Sequence, residues 1–100
     1  METIIEQQSE KTIIKINGRL DSMNSGDFEK AITPVLEGAM KDITLDCTDF
    51  EYISSSGLRL FLTLLKHSKS KGGKLCIKAL KPEIKSVFDI AGFTPLFQFE

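Results

Sequence analysis

The chain contains no tryptophan, one tyrosine, one histidine, two cysteines and three prolines in 100 residues. A single histidine, His67, excludes any histidine-pair metal site, and Cys47 and Cys76 stand at no metal-ligand spacing. Nothing demands a disulfide between them. Large charge of one sign is also missing. The formal net charge is −1, so no global field points to nucleic acid or to anionic membranes. No apolar run approaches membrane-spanning length, which argues against membrane insertion. Met1-Glu2-Thr3 leads into Ile4-Ile5 without a basic or long apolar leader, so no signal peptide is expected and a reducing cytoplasm is the expected compartment. No cofactor motif is present.

What remains is ordinary for a globular chain, with 41% hydrophobic and 27% charged residues. No linker, internal repeat or low-complexity tract divides it, and residues 1–100 are expected to form one domain. Lysines do cluster from Lys66 to Lys74, but no aromatic residues interleave with them. A solvated helix end explains that cluster better than a nucleic-acid patch.

Thr3–Glu6 and Thr12–Ile16 read as two strands of a hairpin around a polar turn at Gln7–Lys11. Asn17–Ser22 supplies turn residues, and Asn24 or Ser25 can cap a first helix. Phe28, Ile32, Val35, Leu36 and Ala39 give that helix its apolar face. Pro34 should kink or break it. Ile43–Asp46 is a third strand. A second helix follows a serine loop and runs to about Lys71, with Leu58, Phe61, Leu62 and Leu65 on one face and Leu60 and Leu64 widening it. His67 lies about half a turn from Leu58 and should point to water. Gly72-Gly73 ends the helix. Lys74–Lys78 is a strand in which Cys76 reads as a buried thiol. Pro82 opens a third helix with Ile84, Val87, Phe88 and Ala91 inward, Gly92 stops it, and Leu96–Phe99 reads as a last strand. Phe93, Phe97 and Phe99 read as packing residues. Strands alternating with helices demand an α/β fold, here a mixed β-sheet with an N-terminal hairpin, parallel crossovers and helical cover.

The most informative segment is Asp49-Phe50-Glu51-Tyr52-Ile53-Ser54-Ser55-Ser56-Gly57-Leu58-Arg59, which places three consecutive hydroxyls where a strand gives way to an apolar helix. Helix starts carry unpaired N–H groups and partial positive charge. Ser54 or Ser55 could serve as a passive cap. A serine there could equally carry a phosphate, whose charge the helix end tolerates. Nucleophilic catalysis is disfavoured: the one histidine is expected to face away, and the loop is neither a Gly-x-Ser-x-Gly elbow nor a P-loop. Asp21, Asp46, Asp49 and Glu51 show no pairing for acid–base work.

Taken together, these segments resemble the STAS domain family, and within it the small stand-alone anti-sigma factor antagonists of bacteria. Gly18-Arg19-Leu20-Asp21, the run from Asp46 to Leu58, the Gly-Gly before Lys74-Leu75 and the segment Val87–Phe93 match the family in type and order over nearly the whole chain. The resemblance implies that Ser55 accepts phosphate from an anti-sigma factor that is also a serine kinase. It implies that the unphosphorylated form binds that anti-sigma factor, and that a serine phosphatase resets the switch. Asp21 matches an acidic position near the acceptor. The expected docking surface is Asp21, Ser22, Met23, Ser54, Ser55, Ser56, Gly57, Leu58 and Arg59. Two positions depart from the family pattern: Ser54 stands where an Asp is usual and so is a rival acceptor, and Arg59 stands where a Gly is usual. STAS subunits also occur as unphosphorylated scaffolds in lipid-transport ABC complexes and signalling assemblies, which is the alternative reading.

Overall fold

The computed structural model describes residues 1–100. Its strands are β1 (Glu2–Gln7), β2 (Lys11–Leu20), β3 (Asp42–Asp46), β4 (Phe50–Ile53), β5 (Leu75–Lys78) and β6 (Gln98–Phe99). Its helices are α1 (Ser25–Glu37), α2 (Ser55–Ser70) and α3 (Pro82–Ala91), and a short 3-10 turn covers Thr94–Leu96. The sheet runs β1-β2-β3-β5-β6, with β4 paired separately to β2. Only the β1–β2 hairpin is antiparallel; the other pairings are parallel. The expected α/β architecture is therefore present.

Period-2 alternation decides which residues meet the helices. Ile14, Ile16, Ile43, Leu45, Leu75 and Ile77 are buried, whereas Lys15, Thr44, Asp46 and Cys76 on the other face stay partly accessible. Cys76 is thus half-buried on the open face, not a core thiol as expected, because its neighbours Leu75 and Ile77 take the inward positions. Cys47, just past β3, is fully buried.

Phe61 on α2 is the hub of the core. Its ring lies 6.1 Å from Phe28 of α1, 5.8 Å from Phe50 of β4 and 6.0 Å from Phe88 of α3. Phe88 in turn meets Phe97 and Phe99 edge-on, at 5.5 and 5.9 Å. Each such contact adds specific geometry to the burial of a large apolar ring. Phe97 and Phe99 therefore pack as expected, and Phe93 packs against the same core.

The structure corrects several sequence-based expectations. Asn17–Leu20 is not a turn. It is the second half of the ten-residue β2, which pairs with β3 through Lys15 and then with β4 from Gly18. Gly18 makes the change of partner: it adopts φ 85°, its N–H donates to the Asp49 carbonyl at 2.8 Å, and a bulge follows at Gly18/Arg19. No strand is expected at Phe50–Ile53, yet it forms β4, with Phe50 and Ile53 buried and Glu51 and Tyr52 exposed. Pro34 does not break α1, because it lies on the solvent side, where the carbonyl it leaves free can meet water. His67 does not point freely into solvent. Leu64, Leu65 and Ser68 extend the buried arc of α2, leaving His67 half-buried with Nε2 enclosed and unpartnered. The last strand is limited to Gln98–Phe99 because Thr94–Leu96 forms the 3-10 turn.

Candidate functional site

Two loops meet at the carboxyl end of the β2–β4 pair. Leu20 and Ile53 are in register as the last residues of their strands, and the Ser54 N–H donates to the Leu20 carbonyl at 2.8 Å. The residues that follow, Asp21–Asn24 on one side and Ser54–Ser56 on the other, consequently emerge side by side. Carboxyl ends of parallel strands are the usual place for a site in such sheets.

Asp21 holds the first loop. Its Oδ1 accepts from the N–H groups of Met23 at 3.0 Å and Asn24 at 3.1 Å. Asn24 occupies the N-cap of α1, but its side chain does not cap the helix. Instead Oδ1 accepts from the Asp21 N–H at 2.9 Å and Nδ2 donates to the Arg19 carbonyl at 2.8 Å. This double tie holds the turn against β2. Met23, at its tip, is 93% exposed. An exposed thioether on a hydrogen-bonded turn is a flexible, polarizable apolar group at the surface.

The three hydroxyls of the second loop are not equivalent. Ser54 is the N-cap of α2: its Oγ accepts from the Gly57 N–H at 3.2 Å, while its carbonyl accepts from the Leu58 N–H at 2.9 Å. Ser54 Oγ also lies 3.0 Å from Ser56 Oγ, and both residues are half-buried. Ser55 is exposed and its hydroxyl has no hydrogen-bond partner within the chain. The N–H groups of Ser55 and Ser56 find no protein acceptor either, so the first turn of α2 retains its positive end. Arg59 follows Ser55 by one helical step of four residues, which puts both on the same side of α2, and Arg59 forms no ion pair.

Gly57 sets how closely the loop sits on the sheet. A Cβ there would fall 2.7 Å from Leu20 Cγ and 3.1 Å from Ile53 Cγ1, so only glycine allows this approach. Leu58 is buried and anchors the first turn in the core, so its contribution is to position the loop. Of the nine expected docking residues, Ser22, Met23, Ser55 and Arg59 are exposed; Asp21, Ser54 and Ser56 are half-buried; Gly57 and Leu58 are buried.

Sequence reasoning missed one feature beside the loop. The Arg19 guanidinium lies 4.2 Å above the Tyr52 ring, a cation–π pair between residues in register on β2 and β4. Its signal, the pairing of Gly18–Leu20 with Phe50–Ile53, was hidden because neither segment reads as strand.

The geometry does not assemble a hydrolytic site. His67 is twelve residues beyond Ser55 on the same helix, about 18 Å along its axis. The Cys47 thiol is not an available nucleophile, since burial, and secondarily the nearby Asp46 carboxylate, push its pKa up to about 12. Asp46 itself is lowered, chiefly by the hydrogen bond from the Thr48 hydroxyl, which marks a structural carboxylate in a turn. No helix is long and apolar enough to cross a membrane.

The fold is a single mixed-sheet α/β domain with three helices. The family model for the STAS domain matches residues 2–100, and the chain belongs to that family. It is 32% identical over 82 residues to BtrV of Bordetella bronchiseptica, named as an anti-sigma factor antagonist, covering 82% of this chain and 71% of that one. It is 29% identical over 83 residues to the anti-sigma-B factor antagonist of Staphylococcus aureus, covering 83% and 77% respectively. The phosphorylated form of the Bacillus cell fate determinant SpoIIAA shares the fold with TM-score 0.76 and 21% identity, over 99% of this chain and 91% of that one.

Proposed function

We propose that this chain is an anti-sigma factor antagonist whose docking surface is the Asp21–Asn24 and Ser54–Arg59 loop pair and whose binding is switched by phosphorylation of Ser55. One observation carries the choice of residue: among the three serines, Ser55 alone is exposed with an unbonded hydroxyl, while Ser54 and Ser56 are engaged with each other and with the cap. The names of the Bordetella and Staphylococcus relatives support the role. SpoIIAA, a protein with this fold, has a phosphorylated form.

The physical logic is local. A phosphate brings about −1.5 to −2 charges to the positive end of α2, where two free N–H groups and Arg59 can receive it. The core is untouched, so the domain stays folded. A partner fitted to neutral hydroxyls, Met23 and Arg59 meets a dense anion instead, and loses affinity through repulsion and desolvation. The partner is an anti-sigma factor with serine kinase activity, and a serine phosphatase restores the binding form.

The direct test incubates the protein with ATP and its candidate anti-sigma kinase and measures intact mass. Gain of one phosphoryl group, absent from Ser55→Ala, supports the switch. Modification that persists in Ser55→Ala and disappears in Ser54→Ala moves the acceptor to its rival. No modification, with binding to the partner retained, supports the unphosphorylated scaffold reading.

A further inference from the structure

Lys81 is the only one of the 13 lysines and arginines whose side chain donates a hydrogen bond within the chain. It is half-buried, and its Nζ donates to the Phe50 carbonyl at 3.0 Å. Its own carbonyl accepts from the N–H groups of Ile84 and Lys85, both at 3.0 Å, and so starts α3. One residue thereby fastens α3 to β4. The strand has little else to hold its backbone. It pairs with β2 alone, across a bulge, and its other edge has no strand partner. Successive carbonyls of a strand point to opposite sides. The Gly18 N–H takes the Asp49 carbonyl on the β2 side, so the next carbonyl, that of Phe50, turns to the open edge where Lys81 meets it. The chain reaches this position through a sterically costly turn. Ala79, two residues earlier, is the only non-glycine residue at positive φ, 60°, where Cβ crowds the following carbonyl oxygen.

We infer that Lys81 is a positioning residue for the serine loop, holding β4, and through it the Ser54 cap, from the side that β2 leaves open. Phe50 begins β4 and Ile53 ends it, and the next residue, Ser54, carries the N–H that donates to the Leu20 carbonyl. If β4 drifts outward at Phe50, the bonds that join it to β2 on either side of the bulge both lengthen. These are Gly18 N–H to the Asp49 carbonyl and Ser54 N–H to the Leu20 carbonyl. Packing of the Phe50 ring on Phe61 secures the side chain, whereas the Lys81 ammonium secures the backbone with a charge-assisted bond. The consequence for phosphorylation rests on the reading of Ser55 as the acceptor, since group transfer requires a hydroxyl presented in a fixed place.

The test uses Lys81→Met, which keeps the aliphatic stem and removes the donor, and Lys81→Arg, which keeps a donor. Amide hydrogen exchange is measured on the whole chain, with the fold of each variant confirmed by its amide spectrum. In Lys81→Met the Gly18 and Ser54 amides should exchange about tenfold faster than in the parent, or more. The Ile43 amide, bonded to the Lys74 carbonyl at the amino end of β3, should change by less than about twofold. Lys81→Arg should stay close to the parent at all three positions. Equal acceleration at Ile43 would mean a plain loss of stability and overturn the proposal. So would unchanged Gly18 and Ser54 amides, or exchange in Lys81→Arg as fast as in Lys81→Met. With a candidate kinase that modifies the parent, kcat/KM for Ser55 phosphorylation should fall at least fivefold in Lys81→Met, and an unchanged value would overturn the positioning role. A parent chain that is not modified counts against Ser55 as acceptor, and the exchange rates then decide the role of Lys81 by themselves.

Discussion

The Ser54 N–H donates to the Leu20 carbonyl at 2.8 Å, and this one bond joins the carboxyl ends of β2 and β4. It places the cap of α2 beside the Asp21 turn. Everything proposed for the site depends on the two loops sharing one surface.

The unequal roles of the serines give the first prediction. Ser54→Ala removes the cap acceptor of the Gly57 N–H and should cost about 1 kcal/mol. Ser55→Ala removes an exposed, unbonded hydroxyl and should change stability by less than about 0.5 kcal/mol. Urea unfolding of both variants checks the difference; equal losses would show that Ser55 is also a structural residue.

Gly57→Ala tests the close approach of α2 to the sheet. The added methyl meets Leu20 and Ile53, so the helix start must retreat, at about 1–3 kcal/mol. The retreat also moves Ser55 relative to Asp21. Loss of partner affinity beyond that of a surface mutant of equal stability is the expected outcome, measured by calorimetry on the folded variant.

Met23 offers the opposite case. Being 93% exposed, it can be replaced by Asp with a stability change of under about 0.5 kcal/mol. Partner binding should nonetheless weaken several-fold, because the thioether contact is lost and a charge is introduced. Unchanged binding would remove the Asp21–Asn24 turn from the docking surface.

Alkaline pH should expose the buried thiol. Cys47 ionises at about 12 in the folded chain against an ordinary 9.0, so between these values the unfolded state releases a proton that the folded state keeps. Stability is then fully present below pH 9 and falls as pH rises toward 12, by about 1.4 kcal/mol per unit for this group. Cys76, raised to about 11 chiefly by desolvation and further by the nearby Glu100 carboxylate, adds a smaller contribution. Denaturant titrations across this range should show a shallower slope for Cys47→Ala than for the parent chain.

Much of this architecture was legible from side-chain periodicity. Phe28, Ile32 and Val35 recur at helical spacing and do face inward, as do Ile84 and Phe88. The same reasoning failed where backbone conformation outweighs pattern. Asn17-Gly18 carries turn residues, yet Gly18 uses its positive φ to bend β2 and keep it running. Phe50–Ile53 is too short to show alternation, and its strand character comes from pairing with residues more than thirty positions earlier. The serine run was visible, but the division of labour within it was not. Which hydroxyl caps and which stays free is decided by where α2 begins, a matter of one residue.

The most direct measurement compares the affinity of the proposed partner, a purified candidate anti-sigma kinase, for this chain with Ser55 unmodified and with Ser55 stoichiometrically phosphorylated, the fold of both forms verified by their amide spectra. Binding weakened at least a hundredfold in a fully folded phosphorylated protein is the result predicted. Equal affinity of the two folded forms would contradict the switch.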